Sequence, residues 1–376
     1  MPLPFSRKAG ADNIFTVYFF RGFVNNEPVI AAFHDAVKFN CDVSDARFWG
    51  HFSICGLLMR YRDLYRSEQG LEPWSPIPLQ EISAWIEKKE SRWPDIEQEA
   101  FRQLPCEDRP CDPFDAASVN RSINPQGYVY GAGLGMYMKP TFFLARLRSA
   151  AIEEGHQVLI AEDELIRDLF TAPAMLQERT IFLRIDPLKA LLWDAFCRVR
   201  PGCASALADA FTLAGISPGQ KPNGEFSELL GGMTDRYLEV LLWHELAESR
   251  ERIPDWKALL AATADRTAEL MLRAVQDLVA DTSDRGPLHR IIQRRDKPSL
   301  AIMIGLLDGL RKALFPEIRQ AYLRFDSEKR WDDVEDARLR GYERFAGLRR
   351  SLLDAYVQGG EDAFQQMLRD LVLKTR

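Results

Sequence analysis

The sequence predicts an α+β protein that is predominantly α-helical, with a small antiparallel sheet near the middle of the chain. Apolar residues recur at helical spacing through most of the first and last thirds. Runs of β-branched and aromatic residues of strand length, bounded by turn residues, occur only in the middle third. We therefore expect a mainly helical region over 1–125, a small β-containing region over 126–186 and a helical C-terminal bundle over 187–376.

The composition is that of a folded globular protein with about two domains. The chain has 376 residues, of which 46% are hydrophobic and 28% charged, and a domain usually takes roughly 150 residues. A net charge of −6 argues against a general attraction to nucleic acid or to anionic membranes. The longest apolar stretch, 299–315, is interrupted by Asp308 and predicts a core helix, so we expect no membrane span.

The N-terminal segment and the cysteines predict a cytoplasmic protein. The apolar opening of the chain is interrupted by Asp12 and Arg21, so we interpret it as mature protein and not as a signal peptide. Six cysteines are thinly spread and form no C-x-x-C pair, which argues against a zinc knuckle or a small disulfide scaffold. We expect reduced thiols.

The first region contains three candidate helices, over 27–40, 44–70 and 79–93. The second of them has an apolar stripe that we expect to face inward, made of Phe48, Phe52, Cys55, Leu58 and Met59. The chain then becomes rich in proline, aspartate and cysteine over 104–125, which indicates a boundary.

The middle region contains candidate strands over 128–135, 141–163 and 179–186. Glu154 and Gly155 separate two strand-like runs, so we expect a hairpin there. The segment 162–175 begins with acidic residues and predicts a short helix ending near Pro173.

The last region reads as helix almost throughout. Helical spacing is found over 187–200, 204–215, 225–250, 255–281, 299–315, 331–350 and 362–376. Short connections favour antiparallel neighbours in a bundle.

The helix over 225–250 places a histidine on an apolar stripe. The residues sharing the stripe are Leu230, Met233, Tyr237, Val240, Leu241, His244 and Ala247. Glu248 lies one turn beyond His244 on the same side, and Glu245 lies about a quarter-turn around the helix. A histidine and a carboxylate at i and i+4 can ligate one divalent metal ion, such as zinc, iron or manganese. The sequence thus offers His244, Glu248 and Glu245 as candidate metal ligands.

Two observations weigh against a known metal motif at His244. The stretch "HELAE" has Glu248 where the zinc-protease pattern has a second histidine, and the residue three positions before His244 is Leu241, so His244 is not part of a Glu-x-x-His pair. A buried histidine hydrogen-bonded to a carboxylate is the alternative. A metal site would need a further carboxylate from elsewhere, such as Glu162 or Glu164.

Two other features are weaker candidates. Gly131, Gly133 and Gly135 follow a strand-like run, but Pro140 and another strand follow in place of the helix that a phosphate loop needs. They predict a tight turn or a close backbone approach, and a ligand pocket is the alternative. The basic cluster over 289–297 is the least neutralised in the chain; it predicts a solvated, ion-paired face, with a local nucleic-acid contact as the alternative.

Three segments, 41–74, 130–147 and 243–248, resemble a family of bacterial proteins of unknown function. The resemblance implies a bacterial cytoplasmic origin and transfers no activity. Two functional hypotheses follow. The first is an accessory or scaffold protein that binds a protein partner or a second copy through its helical surfaces. The second is a metal-dependent enzyme or sensor with its site at His244.

Overall fold

The structure is a computed structural model that describes residues 27–106, 109–202, 205–263, 265–307, 309–328 and 330–375. The apolar opening, which we interpret as mature protein, lies outside the described residues. The chain divides into two compact units, Met1–Leu191 and Leu192–Arg376. The expected regions 1–125 and 126–186 both fall within the first unit.

The fold class is confirmed: the protein is α+β and mostly helical, with one five-stranded sheet in the middle of the chain. The helices before the sheet are α1 (Glu27–Phe48), α2 (Ile54–Glu68), α3 (Leu79–Glu90), α4 (Trp93–Ile96) and α5 (Ala116–Ile123). The strands are β1 (Tyr128–Leu134), β2 (Pro140–Glu153), β3 (His156–Arg167), β4 (Ala174–Gln177) and β5 (Thr180–Arg184).

The sheet has the strand order β1-β2-β3-β5-β4. The predicted hairpin is confirmed: β2 and β3 pair antiparallel, and Glu154 and Gly155 form the turn with φ values of 48° and 80°. All pairs are antiparallel except β3 with β5, which is parallel. This parallel pair arises because β4 takes the edge of the sheet and the turn after it returns β5 to the position beside β3.

The predicted helix over 162–175 is wrong. Strand β3 continues to Arg167, and β4 begins at Ala174. The acidic start signal is overridden because this stretch pairs with β2, with Glu164 opposite Ala145. The Glu164 carboxylate is buried and ion-paired, not exposed at a helix start.

The predicted inward stripe of the second helix is wrong for three of its five residues, although Phe52 packs against a core cluster of the first unit. Cys55, Leu58 and Met59 are exposed, and α2 buries Tyr61, Leu64 and Tyr65. The phase of the helix differs because the chain breaks after Phe48 and restarts at Ser53. The Ser53 hydroxyl accepts a hydrogen bond from the Gly56 N–H and so caps a new helix.

A buried ionic network joins α1 to the ends of β2 and β3. The Lys139 Nζ atom lies 3.1 Å from an Asp45 carboxylate oxygen, 3.4 Å from one of Asp168 and 2.9 Å from the Ser44 hydroxyl. Asp168 also accepts the Phe142 N–H at 2.8 Å. Burial raises the pKa of Asp45 to about 6, against the opposing attraction of Lys139. The network holds one helix and two strands in register.

The expectation of reduced thiols is wrong for one pair, because Cys106 and Cys111 form a disulfide. The backbones of Leu104 and Cys111 hydrogen-bond to each other at this loop, which brings the two cysteines together. Their close approach depends on a loop geometry that residue spacing does not reveal.

The helix α6 (Ile185–Cys197) spans the boundary between the units, and the second unit is helical. Its helices are α7 (Ala206–Leu213), α8 (Gly224–Arg250), α9 (Pro254–Ala262), α10 (Arg266–Thr282), α11 (Pro287–Arg294), α12 (Lys297–Leu306), α13 (Gly309–Leu314), α14 (Pro316–Glu328) and α15 (Trp331–Thr375). Gly360, at φ 71°, interrupts α15. The predicted helix over 255–281 is two helices, because the Asp265 side chain caps α10 by accepting the Ala268 N–H. Within the described ranges, no helix is long and apolar enough to cross a membrane.

Candidate functional site

His244 lies on α8, which packs against α10. The predicted apolar stripe of α8 is largely buried, and the His244 side chain keeps only 14% of its surface exposed. Asn223 caps the start of the helix, because its side chain accepts a hydrogen bond from the Phe226 N–H. The imidazole is thus held by a long helix within the second unit.

Asp281 on α10 orients this imidazole. The Nδ1 atom of His244 lies 2.8 Å from an Asp281 carboxylate oxygen, and the Asp281 side chain is 5% exposed. Burial acts to lower the pKa of His244, but the Asp281 charge and hydrogen bond outweigh it and raise the pKa to about 10. The carboxylate therefore binds Nδ1 and leaves Nε2 for another partner.

Glu245 and Glu248 bring two more donor groups to the histidine. One ligand atom from each of His244, Glu245 and Glu248 lies within 4.8 Å of the other two. A metal ion that binds nitrogen and oxygen at about 2.1 Å holds its donors roughly 3 to 4.2 Å apart. The observed spacing, within 4.8 Å, is slightly wider than this, so the three side chains would move closer together on binding one ion.

The surroundings of the cluster are rich in carboxylates. Asp277 lies one turn before Asp281 on α10, and burial raises its pKa, with Arg311 3.9 Å away acting in the opposite direction. Burial also raises the pKa of Glu248, while the His244 charge lowers it. A cation placed here would be attracted by these carboxylates. In the metal-free protein, the protonated His244 imidazole supplies part of that positive charge.

The carboxylate that meets His244 is not one that the sequence suggested. Glu164 pairs with Arg184 at 2.6 Å, and Glu162 lies 3.9 Å from Arg148, all within the first unit. Asp281 was missed because it is 37 residues from His244, on another helix. The sequence did carry a signal: Asp277 and Asp281 stand one turn apart in a helix rich in apolar residues.

Two family models cover most of the chain. Residues 32–184 match the N-terminal domain, and residues 189–374 match the C-terminal domain, of a family of unknown function, DUF6866. The chain belongs to the DUF6866 family. Comparisons with curated proteins and with solved structures gave no match. Along the chain, the boundary between the two matched ranges falls within α6, as does the division between the two compact units.

The three glycines of the N-terminal DUF6866 domain are in close contact with side chains. A Cβ atom on Gly131 would lie 2.0 Å from the Phe143 ring, and one on Gly135 would lie 2.8 Å from the Phe170 ring. A Cβ on Gly133 would lie 3.2 Å from the Met175 methyl carbon. The prediction that other groups closely approach the backbone at these glycines is confirmed. Ligand binding by Gly131, Gly133 and Gly135 stays a prediction.

The basic cluster over 289–297 lies on α11 and the start of α12 in the C-terminal DUF6866 domain. The Arg294 guanidinium pairs with Glu239 at 2.8 Å and lies over the Trp243 ring at 4.5 Å. Asp296 pairs with Arg236 at 3.0 Å. These contacts agree with an ion-paired face, and nucleic-acid binding here stays a prediction.

Proposed function

We propose that the C-terminal DUF6866 domain binds one divalent transition-metal ion through His244, Glu245 and Glu248. The observation that carries the proposal is the convergence of their three donor atoms within 4.8 Å. Asp281 supports it, because metal-binding histidines usually donate their other ring N–H to a carboxylate. One imidazole and two carboxylates suit zinc, manganese or iron, whereas all-oxygen sites suit magnesium and calcium.

Metal binding at this cluster requires the loss of protons. The raised pKa of His244, about 10, means that its imidazole is protonated at neutral pH in the metal-free protein. A metal ion must displace the proton on Nε2, so binding releases protons and strengthens as the pH rises. Three protein ligands leave coordination positions for water or a substrate, the arrangement of a catalytic or sensing site.

The test is a calorimetric titration of zinc and of manganese into chelator-treated protein, repeated in two buffers of different ionisation enthalpy. We expect saturation at one ion per chain with proton release, and loss of that binding in His244→Ala. Glu228→Gln, an exposed change on the same helix, is the matched control. Saturable binding that survives His244→Ala, or its absence from the wild-type chain, would overturn the proposal.

A second candidate function is binding of a protein partner or a second copy through α2, as expected of an accessory or scaffold protein. Large apolar side chains are exposed near the start of this helix: Trp49 (47%), Ile54 (81%), Leu58 (49%) and Met59 (45%). Clustered exposed apolar side chains are typical of interaction surfaces. Sedimentation over a range of protein concentrations should show self-association, and the double substitution Ile54→Glu and Leu58→Glu should abolish it. A protein that stays monomeric at every concentration would rule out binding of a second copy.

We propose a bacterial cytoplasm as the compartment, on the resemblance and on the free cysteines Cys41 and Cys55. The disulfide between Cys106 and Cys111 is the observation that opposes it, since disulfides are rare in reducing compartments. Thiol titration of protein taken directly from cells, under denaturing and alkylating conditions, decides between the two states of this pair.

A further inference from the structure

The first unit contains a cavity of about 520 Å³, unrelated to the His244 cluster. Its walls come from the second half of α2, the loop after it, the end of β3 and the start of α6. The volume lies in the range of about 300 to 1,000 Å³ that small-molecule sites occupy.

One side of the cavity offers a buried cation with an unsatisfied donor. The Arg167 side chain is 5% exposed and lines the cavity, and its Nη1 atom is buried without a hydrogen-bond partner. Its Nε atom lies 3.5 Å from Glu164. Buried arginine N–H groups normally have hydrogen-bond partners, because a buried donor without an acceptor costs free energy. A ligand oxygen would satisfy Nη1.

Carboxylates also line the cavity, and one of them, Glu164, lies next to Arg167. Asp186 accepts the Glu164 N–H at 2.6 Å, and burial together with the Glu164 charge raises the pKa of Asp186 to about 6. The Oε2 atom of Glu164 is buried and has no hydrogen-bond partner. Burial also raises the pKa of Asp63. Carboxylates crowded in this way are stabilised by an added positive charge.

The charges lining the cavity favour a ligand with both signs. Six carboxylates line it, from Asp63, Glu68, Glu72, Asp163, Glu164 and Asp186, against three cations, from Arg66, Arg167 and Lys189. Four of the six already pair with a cation: Glu72 with Lys189 at 2.7 Å, Glu68 with Lys89 at 3.3 Å, Glu164 with Arg184 at 2.6 Å and Asp63 with Arg66 at 3.5 Å. Asp163 and Asp186 remain to attract a positive group. A simple anion would be repelled by the remaining carboxylates, and a simple cation would leave the Arg167 donor unsatisfied.

We propose that this cavity binds a small zwitterion of the α-amino acid type. The ligand carboxylate accepts hydrogen bonds from Arg167, and the ligand ammonium donates to Asp186. The apolar members of the lining, Leu71, Pro73, Leu165 and Ala190, leave room for a side chain. Binding here is independent of the metal site.

The test uses the full chain and each of the twenty α-amino acids, at 10 mM, in a thermal-shift screen followed by calorimetry. For each amino acid that binds, we compare the amine that lacks its carboxylate and the acid that lacks its amino group. We expect each half-molecule to bind at least about ten-fold more weakly than the amino acid, because a charge-assisted hydrogen bond is lost.

Two variants assign the roles. Asp186→Asn keeps an oxygen that can accept the Glu164 N–H, and we expect it to weaken amino-acid binding about ten-fold or more. Arg167→Lys keeps the charge but removes the guanidinium, and should weaken binding similarly; the exposed Asp35→Asn serves as the control. The proposal is overturned if no amino acid binds, if a half-molecule binds equally well, or if both variants bind normally.

Discussion

The Nδ1 atom of His244 on α8 and a carboxylate oxygen of Asp281 on α10 are 2.8 Å apart. This contact joins two long helices of the second unit at a nearly buried position. It also determines which imidazole nitrogen is left for other chemistry, because Nδ1 is engaged. The predictions about the metal site depend on this relationship.

Removing the Asp281 charge should weaken metal binding without removing a ligand. Asp281→Asn leaves His244, Glu245 and Glu248 in place but no longer fixes or polarises the imidazole. Losing such an outer partner typically costs about 10- to 100-fold in metal affinity. Competition with a chelator of known affinity measures the change. The exposed Asp336→Asn should bind as the wild type does, and equal affinities in both variants would contradict the orienting role.

The stability of the metal-free protein should depend on pH through His244. Its pKa in the folded state, about 10, exceeds the ordinary value of 6.5. The stabilising contribution is therefore complete below about pH 6.5 and is lost as the pH rises towards 10. We compare the free energy of unfolding of the wild type with that of His244→Gln at two pH values. The advantage of the wild type should be larger at pH 6 than at pH 10, by on the order of a few kcal/mol. Urea denaturation at both pH values measures this, and a gap that stays constant or widens at pH 10 would contradict it.

The buried ionic network of the first unit should be sensitive to loss of its cation. Lys139→Met leaves the Asp45 and Asp168 carboxylates buried without a partner, which should cost about 3 to 5 kcal/mol. Lys38→Met breaks a more exposed pair with Glu68, and should cost less than about 1 kcal/mol. Denaturant unfolding compares the two variants. Equal losses would mean that the Lys139 network contributes no more than a surface ion pair.

The close packing of the glycine strand should make it intolerant of a methyl group. Gly131→Ala places a Cβ against the Phe143 ring in the core and should destabilise by about 1 to 3 kcal/mol. Gly232→Ala, within α8 with nothing near its added Cβ, should stabilise by up to about 1 kcal/mol. Thermal unfolding distinguishes the two directions. A neutral Gly131→Ala would show that Phe143 moves aside without cost.

Elements with strong local signals could be predicted from the sequence. The hairpin at Glu154 and Gly155 was found because its turn residues stand between two apolar runs. The segment after it was mistaken for a helix, because acidic residues near Glu164 look like a helix start unless their buried partner Arg184 is known. Local pattern and tertiary pairing disagree there, and the pairing prevails.

At the candidate site too, the local pattern could be predicted from the sequence and the tertiary contact could not. Periodicity alone placed His244 on the buried side of its helix, and Glu248 follows it by one turn. The orienting carboxylate could not be assigned, because spacing along the chain does not show which residue of α10 faces α8. Glu164 was suggested for that role, but its charge is already neutralised by Arg184.

The most direct test of the metal site is the metal content of the chain purified without tags or added metal. Elemental analysis should find about one equivalent of zinc, manganese or iron in the wild type and in Glu228→Gln. His244→Ala and Glu248→Gln should retain far less while keeping the helical circular dichroism of the wild type. A wild-type chain that stays metal-free even after incubation with these ions, or folded variants that retain the full equivalent, would contradict the proposal.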